Sequence, residues 1–534
     1  MNGSRRGAAL AVVMALALSG GDLVGQSPST LVDAARRGDH AAVRSLLSSG
    51  ADVNAPAVDG STALHWAVRA NDLPLVRTLV AAGADVAAES RYGLRPLGLA
   101  ALNGSPGVIE ALLAAGADAG ASSAAGEPVL MTAARTGVVD AVKRLIAAGA
   151  DVNAREAWFG ETALMWAAAA NHASVVRVLV EAGAEIDARS TILDAPVLGF
   201  PRSGGPNSPF PRGGWTALMF AARDGAVDAA RALADLGADL DATALPETDV
   251  PMKPEEVEAW DGTVGTTALV FAIINAHHDL AAVLLEQGAD PNVADGSGMA
   301  ALYAAVDMNS MQWVQGRPAP ILTDRLDAVD LVKLLLEKGA DPNARLLTRP
   351  LKRHHDAGST LNFGEGTTPL IRAARTSDIE VMRLLLDGGA DPYLTLPDRT
   401  NVLMIAAGQG YGGLRGEGVR IVVPTVERAV EAVALLLDKG MDADAFNSVG
   451  NTALHVAVTR DDALVSLLAS RGATLNLKNK AGATPLDIAL GRGGRGGRGG
   501  RGGFVRESTA ALLRQLGGEP AADESVSATA DPAQ

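Results

Sequence analysis

The sequence predicts an all-α solenoid of about twelve helix-turn-helix units, with hairpin-like finger turns and six inserted loops. Two short motifs recur along the chain, and the residues between them carry apolar side chains at helical spacing. The recurrence means that the 534 residues form one elongated array and not several separate globular domains.

The segment before the array has the pattern of a secretory signal. Residues 1–25 carry Arg5 and Arg6 near their start, continue with a short apolar run and end in small residues. The run is too short to cross a bilayer, and its order of segments is that of a signal peptide. The alternative is a buried helix of a cytoplasmic protein. We expect cleavage near Gly25 and an exported chain, periplasmic or secreted, with no membrane span.

The first motif is the triplet GAD or a near variant. Its first five glycines are separated by 33, 33, 33 and 34 residues, so the base period is 33. Its glycines are Gly50, Gly83, Gly116, Gly149, Gly183, Gly237, Gly288, Gly339, Gly389, Gly440 and Gly472.

The second motif, G-x-T-A/P-L or a degraded form, is called the anchor below. From the anchor glycine to the next GAD glycine the distance is 23 residues in seven units. The longer gaps are therefore discrete insertions into a constant framework. The insertions lie near 191–212, 246–263, 310–325, 345–364, 409–424 and 491–503.

Each unit contains the signals for two helices. Thr162 of one anchor is a helix N-cap, and 163–169 is a short helix of small residues. A second helix follows and ends at Gly183. Between the two helices, eleven residues after the anchor, stand residue types that tolerate a left-handed helix stop. These are Asn71, Gly104, Gly137, Asn171, Gly225, Asn309, Gly410 and Asp461, with Ala276 and Ser377 as departures.

These units resemble ankyrin repeats, and GSTALHWAVRANDLPLVRTLVAAGADV is close to that family's consensus. The resemblance covers residues 29–518 and leaves 519–534 as a disordered tail. His65 and His455 keep the family's structural histidine. Among the other units, Met165, Met219, Val270, Tyr303, Ile371 and Met404 replace it.

The resemblance implies a concave groove that binds another protein. The groove positions are those beside the anchor glycine and at the end of the first helix. Carried over by position, they are Asp59, Ser61, Arg69, Arg91, Tyr92, Leu94, Trp158, Phe159, Glu161, Trp215, Arg223, Asp224, Met299, Asp307, Met308, Thr367 and Arg375.

Aromatic residues make up only 3% of the chain, and four of them occupy predicted groove positions. We expect Trp158 and Trp215 to be exposed and to bind the partner, whereas packing between repeats is the alternative. Trp66 and Trp166 lie inside first helices, where we expect them to fill gaps. For the inserted finger turns, both a clamp on the partner and disordered padding stay open.

The composition argues against several kinds of chemistry. The chain has no cysteine, which excludes disulfides and thiolate metal sites. Its net charge of -15 disfavours nucleic acid. The glycine-arginine tract at 491–503 lacks aromatics, so a flexible loop is expected there and not RNA binding. No HExxH, GxSxG or GxxxxGK[ST] motif occurs. His354, His355 and Asp356 are adjacent, a poor arrangement for one metal ion.

The sequence therefore predicts a non-catalytic scaffold, monomeric and without metal or cofactor, that binds a partner protein through a concave face. Two alternatives remain: an enzyme or ligand-binding protein with its site in the inserted loops, and a purely structural envelope protein.

Overall fold

The computed structural model describes residues 30–191, 193–195, 210–244, 265–310, 324–347, 364–409, 424–492 and 505–521. The predicted signal segment, most of each insertion, including His354, His355 and Asp356, and residues 522–534 lie outside the described residues. The chain divides into two parts, Met1–Ala124 and Ala125–Gln534, which are described separately.

The amino-terminal part contains three helix pairs. The first helix of each pair packs against the second and against the first helix of the next pair. In chain order the helices are α1 (Leu31–Arg36), α2 (His40–Ser48), α3 (Ala63–Arg69), α4 (Leu73–Ala81), α5 (Pro96–Leu102) and α6 (Pro106–Ala114).

The carboxy-terminal part continues the same alternation. Its helices are α7 (Val129–Thr136), α8 (Val139–Ala147), α9 (Ala163–Ala169), α10 (Ala173–Glu181), α11 (Ala217–Asp224), α12 (Val227–Asp235), α13 (Ala268–Ile274), α14 (His278–Glu286), α15 (Ala301–Ser310), α16 (Ala328–Glu337), α17 (Pro369–Arg375), α18 (Ile379–Asp387), α19 (Val402–Ala407), α20 (Val426–Asp438), α21 (Ala453–Ala457), α22 (Asp462–Ser470), α23 (Pro485–Ala489) and α24 (Glu507–Gln515).

The two ends of one insertion pair with each other as short antiparallel strands, a feature that the repeat pattern does not indicate. Strands β1 (Leu193–Ala195) and β2 (Phe210–Arg212) pair antiparallel, with Leu193 opposite Arg212 and Ala195 opposite Phe210. The hairpin brings the two ends of this insertion together, so the repeat framework continues on either side of it.

The anchor threonine starts the first helices, as predicted. The hydroxyl of Thr162 accepts a hydrogen bond from the Met165 amide at 3.4 Å. Thr216, Thr267, Thr368, Thr452 and Thr484 cap their helices in the same way. The first helices are short and carry small buried residues such as Ala167 and Ala168, which allows neighbouring first helices to approach closely.

The left-handed helix stop is confirmed in most units. Positive φ angles occur at Asn71, Gly104, Gly137, Asn171, Gly225, Ala276 and Ser377. At Gly137 a Cβ would lie 2.6 Å from the His172 ring, so glycine is required there for space as well as for φ.

The stop prediction is wrong at two positions. Asn309 lies inside α15, which runs one residue further before an insertion follows. Asp461 has φ -161° and is the N-cap of α22, because α21 ends early at Ala457. Gly410 lies outside the described residues.

Asparagine side chains connect successive GAD turns. Asn153 donates to the carbonyl of Gly183 at 3.1 Å and accepts from the amide of Glu185 at 2.9 Å. The same pair of bonds occurs at Asn54, Asn292, Asn343 and Asn476. The amide of Glu519 donates to Asn476 and that of Ala521 to Asp487, so residues 519 and 521, which we expected in a disordered tail, are hydrogen-bonded to the last repeats.

Candidate functional site

The finger turns stack through backbone hydrogen bonds. In the amino-terminal part, the amide of Arg91 donates to the carbonyl of Asp59 at 2.9 Å. In the carboxy-terminal part, Thr191 donates to Phe159 at 2.7 Å and Lys480 to Val449 at 3.0 Å. Within each part, these bonds join one finger turn to the next.

In several finger turns, a buried or half-buried polar side chain accepts hydrogen bonds from the amides of the turn. The carboxylate of Glu156 accepts hydrogen bonds from the amides of Trp158 at 2.7 Å, Phe159 at 2.5 Å and Glu161 at 3.1 Å. Ser90, Asp295, Asn447 and Asn479 serve the same purpose in other turns. The turn backbone is therefore fixed without the help of the side chains at its tip.

Trp158 and Phe159 project from such a turn. Their side chains are 68% and 45% exposed, in agreement with the expectation for Trp158. The indole N–H of Trp158 donates to the carbonyl of Ala125 at 3.0 Å. The ring is thus held in one orientation while most of its surface faces solvent.

In the amino-terminal part, the corresponding turn also exposes its tip. Tyr92 is 65% exposed, and Arg91 and Leu94 are exposed beside it. Val58, in the preceding turn, is exposed as well and was not among the predicted residues. It stands two residues before its anchor glycine, as Arg91 and Trp158 do, so the spacing could have indicated it. Arg69, at the end of α3, is exposed as predicted.

Six of the predicted groove residues are buried, so their side chains are not available to a partner at this surface. They are Ser61, Glu161, Met299, Asp307, Thr367 and Arg375. The residue after the anchor glycine turns toward its own first helix. Ser61 accepts the indole N–H of Trp66 at 3.0 Å, and Glu161 accepts that of Trp166 at 2.8 Å.

The burial of Asp307 has a different cause. Its carboxylate accepts a hydrogen bond from Nε of Arg372 at 2.6 Å, which joins α15 to α17. Burial and the charge of Asp307 raise the pKa of the neighbouring Tyr303. Arg372 was missed because it occupies an apolar position of the repeat, six residues after the anchor glycine. The ion pair is a link between repeats.

Trp215 differs from Trp158, contrary to the expectation that both are exposed. It is half-buried, and its ring meets those of Phe220 at 5.6 Å and Phe271 at 5.0 Å edge to face. Its indole N–H is buried and has no hydrogen-bond partner among the described residues. Packing is therefore part of its role.

The remaining predicted residues lie at the ends of first helices or beside a turn. Arg223 is half-buried, and its guanidinium is held by the adjacent Asp224 through bonds of 2.8 and 2.6 Å. Asp224 is exposed, and Met308 and Asp59 are half-buried. Hydrogen bonds from Ser61 lower the pKa of Asp59, so this side chain is a stable carboxylate.

Arginine side chains stack on the half-buried tryptophans of the first helices. The guanidinium carbons of Arg36 and Arg69 lie 4.8 and 5.4 Å from the centre of the Trp66 ring. Arg135 lies 4.9 Å from the Trp166 ring. Trp66 and Trp166 thus do more than fill gaps. The groove prediction included arginines nine residues after an anchor glycine, such as Arg69, but it left out Arg135 and did not predict the stacking on tryptophan.

The described residues hold no group of three or more His, Cys, Asp or Glu that could bind a metal ion. A cavity of about 490 Å³ opens between α10 and α12, lined in part by His172, Arg177 and Arg231. Arg177 is already paired with Asp235 at 2.9 Å. Of the helices in the described part of the chain, none is long and apolar enough to cross a membrane.

Stacked helix pairs joined by finger turns define a helical repeat protein. Two family models match the chain. The one described as "Ankyrin repeats (3 copies)" matches residues 9–90, 31–123, 97–190 and 252–346. The one described as "Ankyrin repeat" matches residues 213–244, 365–395 and 449–480. The chain belongs to the ankyrin-repeat family.

The family assignment confirms the predicted all-α repeat solenoid. Ankyrin repeats are generally protein-protein interaction modules, and proteins built from them are typically non-enzymatic scaffolds.

Proposed function

We propose that this chain is an exported, monomeric and non-catalytic scaffold that binds a partner protein through the concave face of its repeats, without metal or cofactor. The observation that carries the proposal is the pair of exposed aromatic rings at Trp158 and Phe159 on a rigid turn.

An exposed aromatic side chain is a strong anchor when it is already in its binding orientation. Three amides of the turn are fixed by the carboxylate of Glu156, and the indole of Trp158 is fixed by Ala125. Little conformational entropy is then lost when a partner covers the two rings. A large exposed apolar surface next to a polar backbone is typical of an interface.

Other finger turns offer further apolar contacts. Tyr92 and Leu94 in the amino-terminal part, and Phe446 and Val449 in the carboxy-terminal part, are exposed at their turns. Apolar side chains at several turns favour a protein partner over a small polar ligand.

Export is supported by the signal-like residues 1–25 and agrees with the absence of cysteine, which leaves the fold independent of the redox state of the compartment. Mass spectrometry of the amino terminus from fractionated cells tests it. A mature chain that begins between residues 19 and 27 supports export, and an intact Met1 in the cytoplasm contradicts it.

Partner capture tests the binding surface. Tagged wild-type chain, the double variant Trp158→Ala/Phe159→Ala and the control Val505→Ala/Leu516→Ala are compared in extracts of the source cells. Val505 and Leu516 are exposed apolar residues that flank α24 in the sequence. We expect the turn variant to lose a captured partner by about tenfold or more, corresponding to about 1.4 kcal/mol or more.

Both variants must keep the wild-type melting temperature for the comparison to hold. Equal loss of the partner from both variants, or unchanged capture by the turn variant, contradicts the proposed surface.

A further inference from the structure

Two guanidinium groups share one indole in the amino-terminal part. Arg36 ends α1 and Arg69 ends α3, and both lie over the ring of Trp66, at 4.8 and 5.4 Å. Both arginines are exposed, whereas the tryptophan is half-buried. We call these three residues the arginine clamp.

A chain of hydrogen bonds fixes the ring of the clamp. The indole N–H of Trp66 donates to the hydroxyl of Ser61 at 3.0 Å, and that hydroxyl donates to the carboxylate of Asp59 at 2.6 Å. Asp59 is itself bound by the amide of Ser61 at 3.0 Å. Because the ring is fixed, the two guanidinium groups stacked on it are restricted as well.

The guanidinium groups of the clamp are not neutralised by the described residues. Neither Arg36 nor Arg69 forms an ion pair there. Asp33 and Asp39, each three residues from Arg36, are both helix caps. Asp33 accepts the hydroxyl and the amide of Thr30 at 2.7 and 3.3 Å, and Asp39 accepts the amide of Ala42 at 2.9 Å. Oδ1 of Asp59 accepts two hydrogen bonds from Ser61. The hydrogen-bonding edges of both arginines remain available.

A related arrangement recurs in the carboxy-terminal part and shows which feature is distinctive. Arg135 stacks on Trp166, whose indole N–H donates to Glu161 at 2.8 Å. By contrast, Arg223 stacks on Phe220 but has its guanidinium occupied by Asp224. A stacked arginine can therefore be paired with a carboxylate or not. In the arginine clamp, two arginines stack on one ring and neither is paired with a carboxylate of the described residues.

We propose that the arginine clamp binds carboxylate side chains in an extended acidic segment of a partner protein. The inference rests on the proposed function, because it names the chemistry of the partner at one place on the binding surface. A stacked guanidinium presents a planar row of donors that matches a carboxylate in two parallel bonds.

A long polyanion such as nucleic acid fits less well. The chain as a whole carries a net charge of -15, so phosphates beyond the clamp would meet repulsion. A short acidic segment places negative charge only where the clamp is.

The test uses the full chain and a fluorescein-labelled decapeptide of alternating glutamate and serine, with binding followed by fluorescence anisotropy. The matched glutamine peptide measures binding without charge. The test variant is Arg36→Gln/Arg69→Gln. The control is Arg44→Gln/Arg77→Gln, which removes two exposed arginines at the same sequence separation, from α2 and α4.

We expect the glutamate peptide to bind at least about tenfold more tightly than the glutamine peptide, and the test variant to abolish that preference. The control should change binding by less than about twofold. Replacing Trp66 with leucine should weaken binding while both charges remain.

Equal losses in the test and control variants would mean that general electrostatics and not the clamp attracts the peptide. Absence of any preference for glutamate, or tighter binding of a single-stranded oligonucleotide of equal charge, overturns the proposal. Neither result affects partner capture through Trp158 and Phe159, so failure of the clamp and failure of the proposed function are distinguishable.

Discussion

A buried carboxylic acid, Asp295, should lower the free energy of unfolding of the array at neutral pH but not at acidic pH. Its side chain is 5% exposed. Oδ1 accepts hydrogen bonds from the amides of Ser297 and Met299 and from the Ser297 hydroxyl, at 2.9, 3.0 and 2.6 Å. Oδ2 is buried without a hydrogen-bond partner among the described residues. Burial raises the pKa of Asp295 to about 6.

The rise in pKa converts directly into stability. From the ordinary value of 3.8 to about 6, the shift corresponds to about 3 kcal/mol at about 1.4 kcal/mol per unit. Because the folded state holds the proton more tightly than the unfolded state, the penalty is absent below 3.8, grows as the pH rises and is complete above about 6.

Asparagine in this position should remove the penalty. Asn447 and Asn479 stand at the same place in other turns, three residues before the anchor glycine. Their amide nitrogens donate to Thr400 at 3.5 Å and to Asn451 at 2.9 Å in the preceding turn. We therefore expect Asp295→Asn to raise the free energy of unfolding by up to about 3 kcal/mol at pH ~8 and to have little effect at pH ~3.

Urea unfolding followed by circular dichroism across this pH range measures the effect. The control is Asp59→Asn, because hydrogen bonds from Ser61 lower the pKa of Asp59. That substitution should cost stability at neutral pH and lose its effect in acid, the opposite sign. If Asp295→Asn raises the free energy of unfolding equally at every pH, the reasoning is refuted, because the gain would then not arise from the ionisation of Asp295.

Three further results are expected. His65 and His455 are neutral acceptors at the anchor turn, and burial lowers the pKa of both from 6.5, so urea midpoints should fall as the pH drops below that value. Trp215→Ala should cost about 2 to 3 kcal/mol of stability and Trp158→Ala less than about 1, measured by denaturant unfolding; equal costs would contradict their different burial. Asn153→Ala removes two hydrogen bonds between GAD turns and should cost about 1 to 2 kcal/mol, with faster amide exchange at the turn; unchanged exchange would contradict a role for this link.

Most of the fold could be predicted because the repeat depends on local signals. The threonine cap and the left-handed stop at Asn71 are each set by residues within one turn of the helix they limit. The errors arise where an insertion or a shortened helix changes the register, as at Asn309 and Asp461. The β1–β2 hairpin depends on pairing between segments that the repeat pattern does not relate.

The sequence predicted the exposed residues of the finger turns, but it did not predict which of the other groove residues are buried. Tyr92, Trp158 and Phe159 are exposed, as positions at a finger turn should be. Glu161 and Arg375 are buried because other side chains of their own and neighbouring repeats pack against them. The spacing of residues within one unit does not indicate which side chains these are. For the same reason the stack of Arg36 on Trp66, which joins two repeats, is invisible in a single unit.

Stability and recognition are carried by different residues of the same finger turn. In the turn at 156–161, the buried Glu156 makes the hydrogen bonds that hold the backbone, while Trp158 and Phe159 make none with their exposed faces. Substituting the exposed residues leaves the three hydrogen bonds to Glu156 intact and removes only the indole bond to Ala125, whereas substituting Glu156 removes the acceptor of three buried or half-buried amides. Glu156→Ala should then weaken partner capture and lower the melting temperature together, whereas Trp158→Ala/Phe159→Ala should weaken capture alone. An unchanged melting temperature in Glu156→Ala would mean that this carboxylate does not hold the turn. It would also contradict the proposal that the turn presents the rings of Trp158 and Phe159 rigidly.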